Sequence, residues 1–388
     1  EKVVSVDISG ESVSGVVLRS GELINTKTLI ITSGTFLSGV IHVGERKILA
    51  GRMGEERSEG LTESLVSLGF KSGRLKTGTP PRLNKRSINW KKTSLAYGDE
   101  NPVPFSYFSS DFTPPNEPCH TIKTNHNVHS IIDENINRSP LFSGDIGGKG
   151  PRYCPSIEDK IYRFSDRDSH GLFLEPEWKN SDQIYLNGFS TSLPEDVQLS
   201  ALRQISGLES VEFFRPGYAI EYDFFPPSQL KASLESKNIS GLFFAGQMNG
   251  TSGYEEAAAQ GLLCGINATS TIQGVNPLVL SRSSSYTGVM IDDLITKDTL
   301  EPYRMFTSRA EYRLMIRFSN TCDRLYKISL ERSLAPKHQL SQLGKILEAK
   351  EEILDGLASS VRPCEVLNDT PKKQPLPAKE LVKRPGFS

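Results

Sequence analysis

Three short apolar runs open the chain, at residues 3–8, 13–18 and 23–24, with polar turns at 9–12 and 19–22 between them. Strand-length runs bounded by Gly and Ser predict a small antiparallel meander. The next run, 28–34, has a different character: Leu29, Ile30 and Ile31 are consecutive, and Gly34 closes the run. An unbroken apolar run suits a strand covered on both faces, as in a parallel sheet. The same pattern returns at 241–246, where Leu242, Phe243, Phe244 and Ala245 lie between Gly241 and Gly246. Behind it, Gly250-Thr251-Ser252-Gly253 leads into a small-residue segment, 254–268, that predicts a helix. Further helices are expected over 303–316 and 340–354.

Between the two buried strands the pattern weakens. Residues 73–82 are rich in turn formers and positive charge, which predicts a loop. Residues 83–148 are polar and rich in Pro, Asn and Ser, and 152–225 mixes strands with one or two short helices. The expected organisation is one domain formed by 1–81 and 237–275, interrupted by an inserted α/β segment over 82–236. Helices follow over 276–388, ending in a basic, Pro-rich linker.

Composition narrows this picture. A chain of 388 residues is long for one simple core and predicts two or three structural units. Hydrophobic residues make up 37% and charged residues 23%, as in ordinary globular proteins. No apolar run is long enough to cross a bilayer. The formal net charge of −1 argues against nucleic-acid binding by bulk charge, so any RNA contact must be local or lie elsewhere. The five cysteines are scattered, with no Cys-x-x-Cys pair. That argues against a disulfide framework and a cysteine zinc site, and fits a reducing compartment. Residues 1–8 already read as a strand inside a domain, so a preceding segment with any targeting signal is expected.

Candidate chemistry gathers at a few places. Glycine at a strand end lets backbone approach a ligand closely, which singles out Gly34 and Gly246. The first amides of the helix after Thr251 and Gly253 lack partners, and its positive dipole end suits an anion or an electron-rich carbonyl. An ordinary strand–helix turn would look the same from pattern alone. Cys154 precedes Pro155, which places it near the start of a helix through Ile157 and Ile161. There the dipole and Arg152 would favour a thiolate; a buried, inert cysteine is the alternative. Cys119 with His120, His126 and His129 fits no common zinc spacing, so no metal site is expected. Arg309, Arg313 and Arg317 recur at four-residue spacing and would share one helix face. They read either as a phosphate stripe or as a salt-bridged face with Glu311 and Asp323, and the second is preferred. For Arg74, Lys76 and Arg82, in the glycine-rich loop, phosphate contact is preferred.

Several blocks carry a family resemblance. They are Gly34-Thr35-Phe36-Leu37, the run from Gly73 to Arg82, Gly150-Pro151-Arg152-Tyr153-Cys154-Pro155-Ser156-Ile157-Glu158-Asp159-Lys160, and Arg215-Pro216-Gly217-Tyr218-Ala219-Ile220-Glu221-Tyr222-Asp223. Two more are the run from Gly246 to Gly261 and Glu301-Pro302-Tyr303-Arg304-Met305-Phe306-Thr307-Ser308-Arg309-Ala310-Glu311-Tyr312-Arg313. In this order, over nearly the whole chain, they resemble the MnmG/GidA family.

The resemblance implies an α/β fold with a doubly wound FAD-binding domain of the two-dinucleotide-binding type. It implies an enzyme that builds a 5-carboxymethylaminomethyl or related aminomethyl group on the wobble uridine of tRNA. FAD, NADH as reductant, a methylene-tetrahydrofolate carbon and a GTPase partner of the MnmE family would take part, and the protein would be a homodimer. By position, Val3, Ser58 and Gln247 correspond to FAD contacts and 150–164 to the nicotinamide segment. The cofactor set so implied adds Gly34, Gly150, Arg152, Tyr153, Gly246, Thr251, Gly253 and Tyr254, and Cys154 becomes the catalytic thiol, able to add to a pyrimidine or join one-carbon transfer. The family's N-terminal Gly-x-Gly-x-x-Gly unit and its C-terminal helical domain are not in this sequence, so a fragment is expected. Asn-, Ser- and Lys-rich stretches point to a mitochondrial version, with a bacterial cytoplasm as the alternative. The rival functions are a folate- and FAD-dependent tRNA uridine methyltransferase and a non-catalytic RNA-binding or GTPase-adaptor protein of the same fold.

Overall fold

The computed structural model describes residues 1–109, 112–150, 155–297, 301–358, 360–361 and 376–381. The chain divides into two compact units: Glu1–Phe105 with Asp111–Ala310, and Ser106–Ser110 with Glu311–Ser388.

The first unit begins with the expected meander. Strands Val3–Ser9, Ser12–Leu18 and Leu23–Asn25 form a three-stranded antiparallel sheet. Helix Leu61–Ser67 is tied to it where the Val6 amide donates to Ser64 Oγ at 3.1 Å. The two apolar runs that suggested buried strands pair with each other in parallel, Leu29–Ile31 against Leu242–Phe244. Leu242, Phe243 and Phe244 are almost wholly buried, which is why the run shows no alternation. Helix Tyr254–Gln273 follows and is longer than the small-residue segment predicted.

Residues 73–82 do not form a loop. Gly73–Thr79 is a strand, paired antiparallel along its whole length with Tyr218–Phe224. With Val40–Val43 and Arg46–Ile48 they build a four-stranded antiparallel sheet. Gly73, Gly78 and the cationic Arg74 and Lys76 hide the strand in sequence, and the partner strand overrides that composition. Pro80-Pro81 ends the strand, as expected of residues that cannot continue a ladder.

A second, six-stranded sheet runs in the order Ser94–Ala96, Cys119–Lys123, Gly171–Pro176, Gln183–Asn187, Arg82–Asn84, Phe213–Arg215. Leu172 and Leu174 alternate inward on one strand, and Ile184 and Leu186 on the next. They share a core with Val128 and Ile132 of helix His126–Glu134, Ile157 of helix Ile157–Arg163, and Val197 and Ala201 of helix Glu195–Leu202.

The helix expected over 303–316 is absent. Only the short 3₁₀ turn Thr307–Arg309 forms there, because residues 303–305 bond to another segment instead of to themselves. Arg309, Arg313 and Arg317 therefore share no helix face. Helix Tyr286–Thr296 completes the first unit, and helices Thr321–Glu331 and Lys337–Gly356 belong to the second. The α/β class is as expected, with helices dominating after residue 276. Among the described residues no helix is long and apolar enough to cross a membrane.

Candidate functional site

The buried strand Leu242–Phe244 delivers the chain to Gly246, whose φ of 82° lies in the left-handed region that glycine tolerates. A buried amide reads this turn. Gln260 Oε1 accepts from the Gly246 amide at 3.1 Å and from Asn249 Nδ2 at 2.9 Å, while Gln260 Nε2 donates to Thr251 Oγ1 at 3.1 Å. Thr251 Oγ1 in turn donates to Gly246 O at 3.0 Å, so this buried hydroxyl fixes the loop. Helix Tyr254–Gln273 then starts at Gly253 with no side chain capping it.

Residues 303–305 strap this loop. Tyr303 donates its amide to Gly250 O at 2.7 Å, and the Ser252 amide donates to Tyr303 O at 2.9 Å. Arg304 Nη1 donates to Ser252 O at 2.7 Å, and the Met305 amide to Glu256 Oε1 at 2.8 Å. The strap is anchored on the fully buried Asp293, which accepts from Tyr303 Oη at 3.0 Å and Arg282 Nη1 at 2.7 Å. Burial works against ionisation of Asp293, but hydrogen bonds from Lys297, Arg282 and Tyr303 outweigh it and hold the carboxyl below its usual range.

In front of the helix start lies a cleft of about 460 Å³. Gln247, Ser252, Gly253, Tyr254 and Ala257 form one wall, and Thr77, Gly78 and Thr79 with Tyr218 and Ile220 form another. Thr35 closes one end, and Arg52, Arg82, Tyr185 and Arg304 stand around the rest. The arrangement fits a flat, electron-rich ring. Uncapped amides face it, Tyr254 offers a ring that is 92% exposed, and a Cβ on Gly253 would meet Glu256 Oε2 at 1.8 Å.

The candidates from sequence are distributed as follows. Gln247, Gly253 and Tyr254 line the cleft; Gly246 and Thr251 shape its loop; Gly34 precedes Thr35. Ser58 lies beside Phe36, to whose carbonyl its amide donates at 2.8 Å. Val3 and Ser58 adjoin a separate cavity of about 580 Å³ through their neighbours Val4, Arg57 and Glu59. Gly150 packs on Lys76, where a Cβ would meet Lys76 Cε at 2.2 Å, and the Lys76 amide donates to Lys149 O at 3.1 Å. Arg152, Tyr153 and Cys154 lie outside the described residues. The helix after them is capped by Ser156, whose Oγ accepts from the Asp159 amide, so it begins further along than the position of Cys154 suggested.

Arg74 turns inward, donating to Asp223 Oδ1 at 2.9 Å and Ser38 O at 3.0 Å. Arg82 donates to Glu177 Oε1 at 2.9 Å and stacks 4.5 Å from the centroid of Tyr185. Arg309 donates to Arg304 O at 2.8 Å and lies over the Tyr303 ring, which gives it a place in the strap. Arg313 is exposed in the second unit. His120 and His129 bond Thr93 and Thr124, and no group placed to hold a metal occurs among the described residues. Burial pushes the Cys264 thiol up to about 12, which makes it inert packing.

Sequence reasoning missed the buried pair of His42 Nε2 and Glu221 Oε2, 3.1 Å apart. Glu221 Oε1 also accepts the Gly148 amide at 2.9 Å, so the pair anchors the segment leading to Gly150. Burial lowers the His42 pKa, against the opposing pull of Glu221. The signal was a carboxylate at an inward position of an apolar strand. Arg304 was missed because its segment read as a helix.

Comparisons with known proteins bear on the family and the fold. A family model described as "Glucose inhibited division protein A" matches residues 1–276. The tRNA uridine 5-carboxymethylaminomethyl modification enzyme MnmG of Flavobacterium johnsoniae is 50% identical over 363 residues, covering 90% of this chain and 58% of that protein. The MnmG enzyme of Chlorobaculum tepidum is 49% identical over 397 residues, covering 100% of this chain and 64% of that protein. A crystal structure of Aquifex aeolicus GidA matches with a TM-score of 0.88 at 45% identity, covering 95% of this chain and 64% of that one. The chain thus spans less than two thirds of each of these relatives.

Proposed function

This chain belongs to the glucose inhibited division protein A (GidA, MnmG) family, and from that premise we propose that it acts in forming the 5-carboxymethylaminomethyl group on the wobble uridine of tRNA, with FAD as its cofactor. The observation that supports this best is the uncapped helix start at Gly253, facing the strand residues Thr77, Gly78 and Thr79 across a cleft that Gln247 and Tyr254 line. FAD would supply the redox chemistry. Gln247 and Gly253 would hold its ring, Tyr254 would cover it, and the strap through Arg304 would keep the helix start in place. NADH as reductant, a folate-derived carbon, a GTPase partner and a homodimer belong to the same proposal. So does Cys154 as the nucleophile.

The test is nucleoside analysis of tRNA after depletion of the protein, with rescue by wild type or Cys154→Ser. Wild type should restore the modified uridine. The serine variant should keep the flavin absorbance of the wild type yet restore none, since a hydroxyl is far less acidic than a thiol. Rescue by Cys154→Ser at the wild-type level would remove the thiol from the reaction. A full complement of modified uridine without any protein would remove the function.

A further inference from the structure

Strands Arg82–Asn84 and Phe213–Arg215 pair antiparallel with Arg82 directly opposite Arg215. Like charges in that relation repel, so the fold or a ligand has to answer them. Arg82 is answered within the chain by Glu177 and the Tyr185 ring. Arg215 is exposed on the edge strand of its sheet, and among the described residues its guanidinium has no partner.

A cavity of about 370 Å³ opens at this spot, lined by Arg52, Arg82 and Arg215 with Trp178 and Tyr218. Its two carboxylates are already neutralised, Glu55 by Arg52 and Glu177 by Arg82. Arg215 is therefore its uncompensated charge. Trp178 sits on the hairpin turn between Gly171–Pro176 and Gln183–Asn187, 56% exposed and, among the described residues, with no ring stacked on it. Leaving an indole in water forgoes the stabilisation of burying it, and the turn itself requires no indole. A bare aromatic beside an unpaired guanidinium suits a nucleotide, whose base stacks while its phosphate is held. Arg52, Arg82 and Tyr218 line both this cavity and the cleft, so the two spaces adjoin.

We propose that this vestibule binds single-stranded RNA, with a base stacked on Trp178 and its phosphodiester on Arg215, while a nucleotide further along the strand enters the cleft. This rests on the proposed function and names the surface that accepts its RNA. A nicotinamide dinucleotide offers the same ring and phosphate chemistry. The open sheet edge favours a strand that can run on beyond the cavity. A paired duplex presents no free base face to Trp178, so the RNA must be a loop.

The experiment titrates the purified protein with a short RNA stem-loop carrying uridine in its loop, with a fully paired RNA, and with NADH. The expected result is quenching of Trp178 fluorescence by the stem-loop and not by the duplex. Trp178→Ala should weaken stem-loop binding about tenfold, and Trp178→Phe by no more than about threefold, because the ring still stacks. Arg215→Ala should weaken binding and reduce the salt slope by about one, and Arg215→Lys should restore the slope. Unchanged melting curves of the four variants keep these effects at the surface. Equal stem-loop affinity of wild type and both alanine variants would overturn the proposal. So would a loss confined to NADH binding, which would assign the vestibule to the dinucleotide. Stem-loop binding through Trp178 and Arg215 in a protein whose depletion leaves tRNA uridine modified would uphold the vestibule and sink the proposed function. Loss of the modification alongside normal binding by both alanine variants would do the reverse.

Discussion

Arg74 reaches Ser38 O, Asp223 and, at 3.9 Å, Glu221. Its partners are buried carboxylates, so its removal leaves charge uncompensated. Arg74→Ala should cost about 1–3 kcal/mol of stability, the scale of charge-assisted hydrogen bonds around a partly exposed group. It should leave stem-loop affinity at the wild-type value, and denaturant melts beside a binding titration check both. The histidines carry a second expectation. Burial lowers the pKa of His42, His120, His129 and His170 from 6.5. Between each lowered value and 6.5 the unfolded chain binds more protons than the folded one, so stability falls as pH drops below 6.5. Melting temperature followed from about pH 7.5 to about pH 5.5 should decline, and His42→Gln should make the decline shallower. A flat profile would mean that these rings are solvated. None of this could be read from the sequence, where Arg74 and Arg82 are alike. What separates them is the strand opposite each: Asp223 faces Arg74 and Arg215 faces Arg82.

The elements that build the cleft differ in how plainly the sequence announces them. Leu29–Ile31 and Leu242–Phe244 were legible because both faces are covered and the apolar run is unbroken. The turn from Gly246 to Gly253 was legible from its small residues, whereas Gln247 and Tyr254 were reached only through the family resemblance. Gly73–Thr79 was not, since its strand character comes from a partner more than a hundred residues away. The four-residue arginine spacing after Tyr303 imitated a helix, but Gly250 and Ser252 take the backbone groups such a helix would need. Trp178 drew no notice, and Arg215 entered only as part of a block that carries the resemblance, because a turn tryptophan and an edge-strand arginine have no sequence signature of a site. The helix start gives a direct test of the cleft. Gly253→Ala places a Cβ against the Glu256 carboxylate and 2.8 Å from Arg304 Nη1, so these side chains, which bond Met305 and Ser252, must move. Gly253 is the N-cap, where alanine is less favoured than glycine, so a loss of stability of up to about 1 kcal/mol is expected with it. Flavin content by absorbance should fall several-fold while the flavin-free protein still melts cooperatively, a few degrees below wild type at most. A variant that keeps its flavin would move the ring site away from Gly253.

For the whole molecule, the net charge of −1 means that attraction for phosphate must be concentrated where the fold leaves a cation unanswered. Composition showed the constraint but not the place, because pairing within the sheets decides which arginines remain available. The topology adds a consequence in time. The cleft needs Gly73–Thr79 joined to Tyr218–Phe224, and its helix hangs from a strand joined to Leu29–Ile31. More than two hundred residues lie between Ile31 and Leu242. A ribosome adding roughly 5–20 residues per second leaves the first of these strands waiting roughly ten to forty seconds for its partner. Throughout that interval the nascent chain carries an apolar strand with open edges and has no place to hold a flavin. Chaperone cover during synthesis, and cofactor loading only after release of that stretch from the exit tunnel, follow from strand order alone.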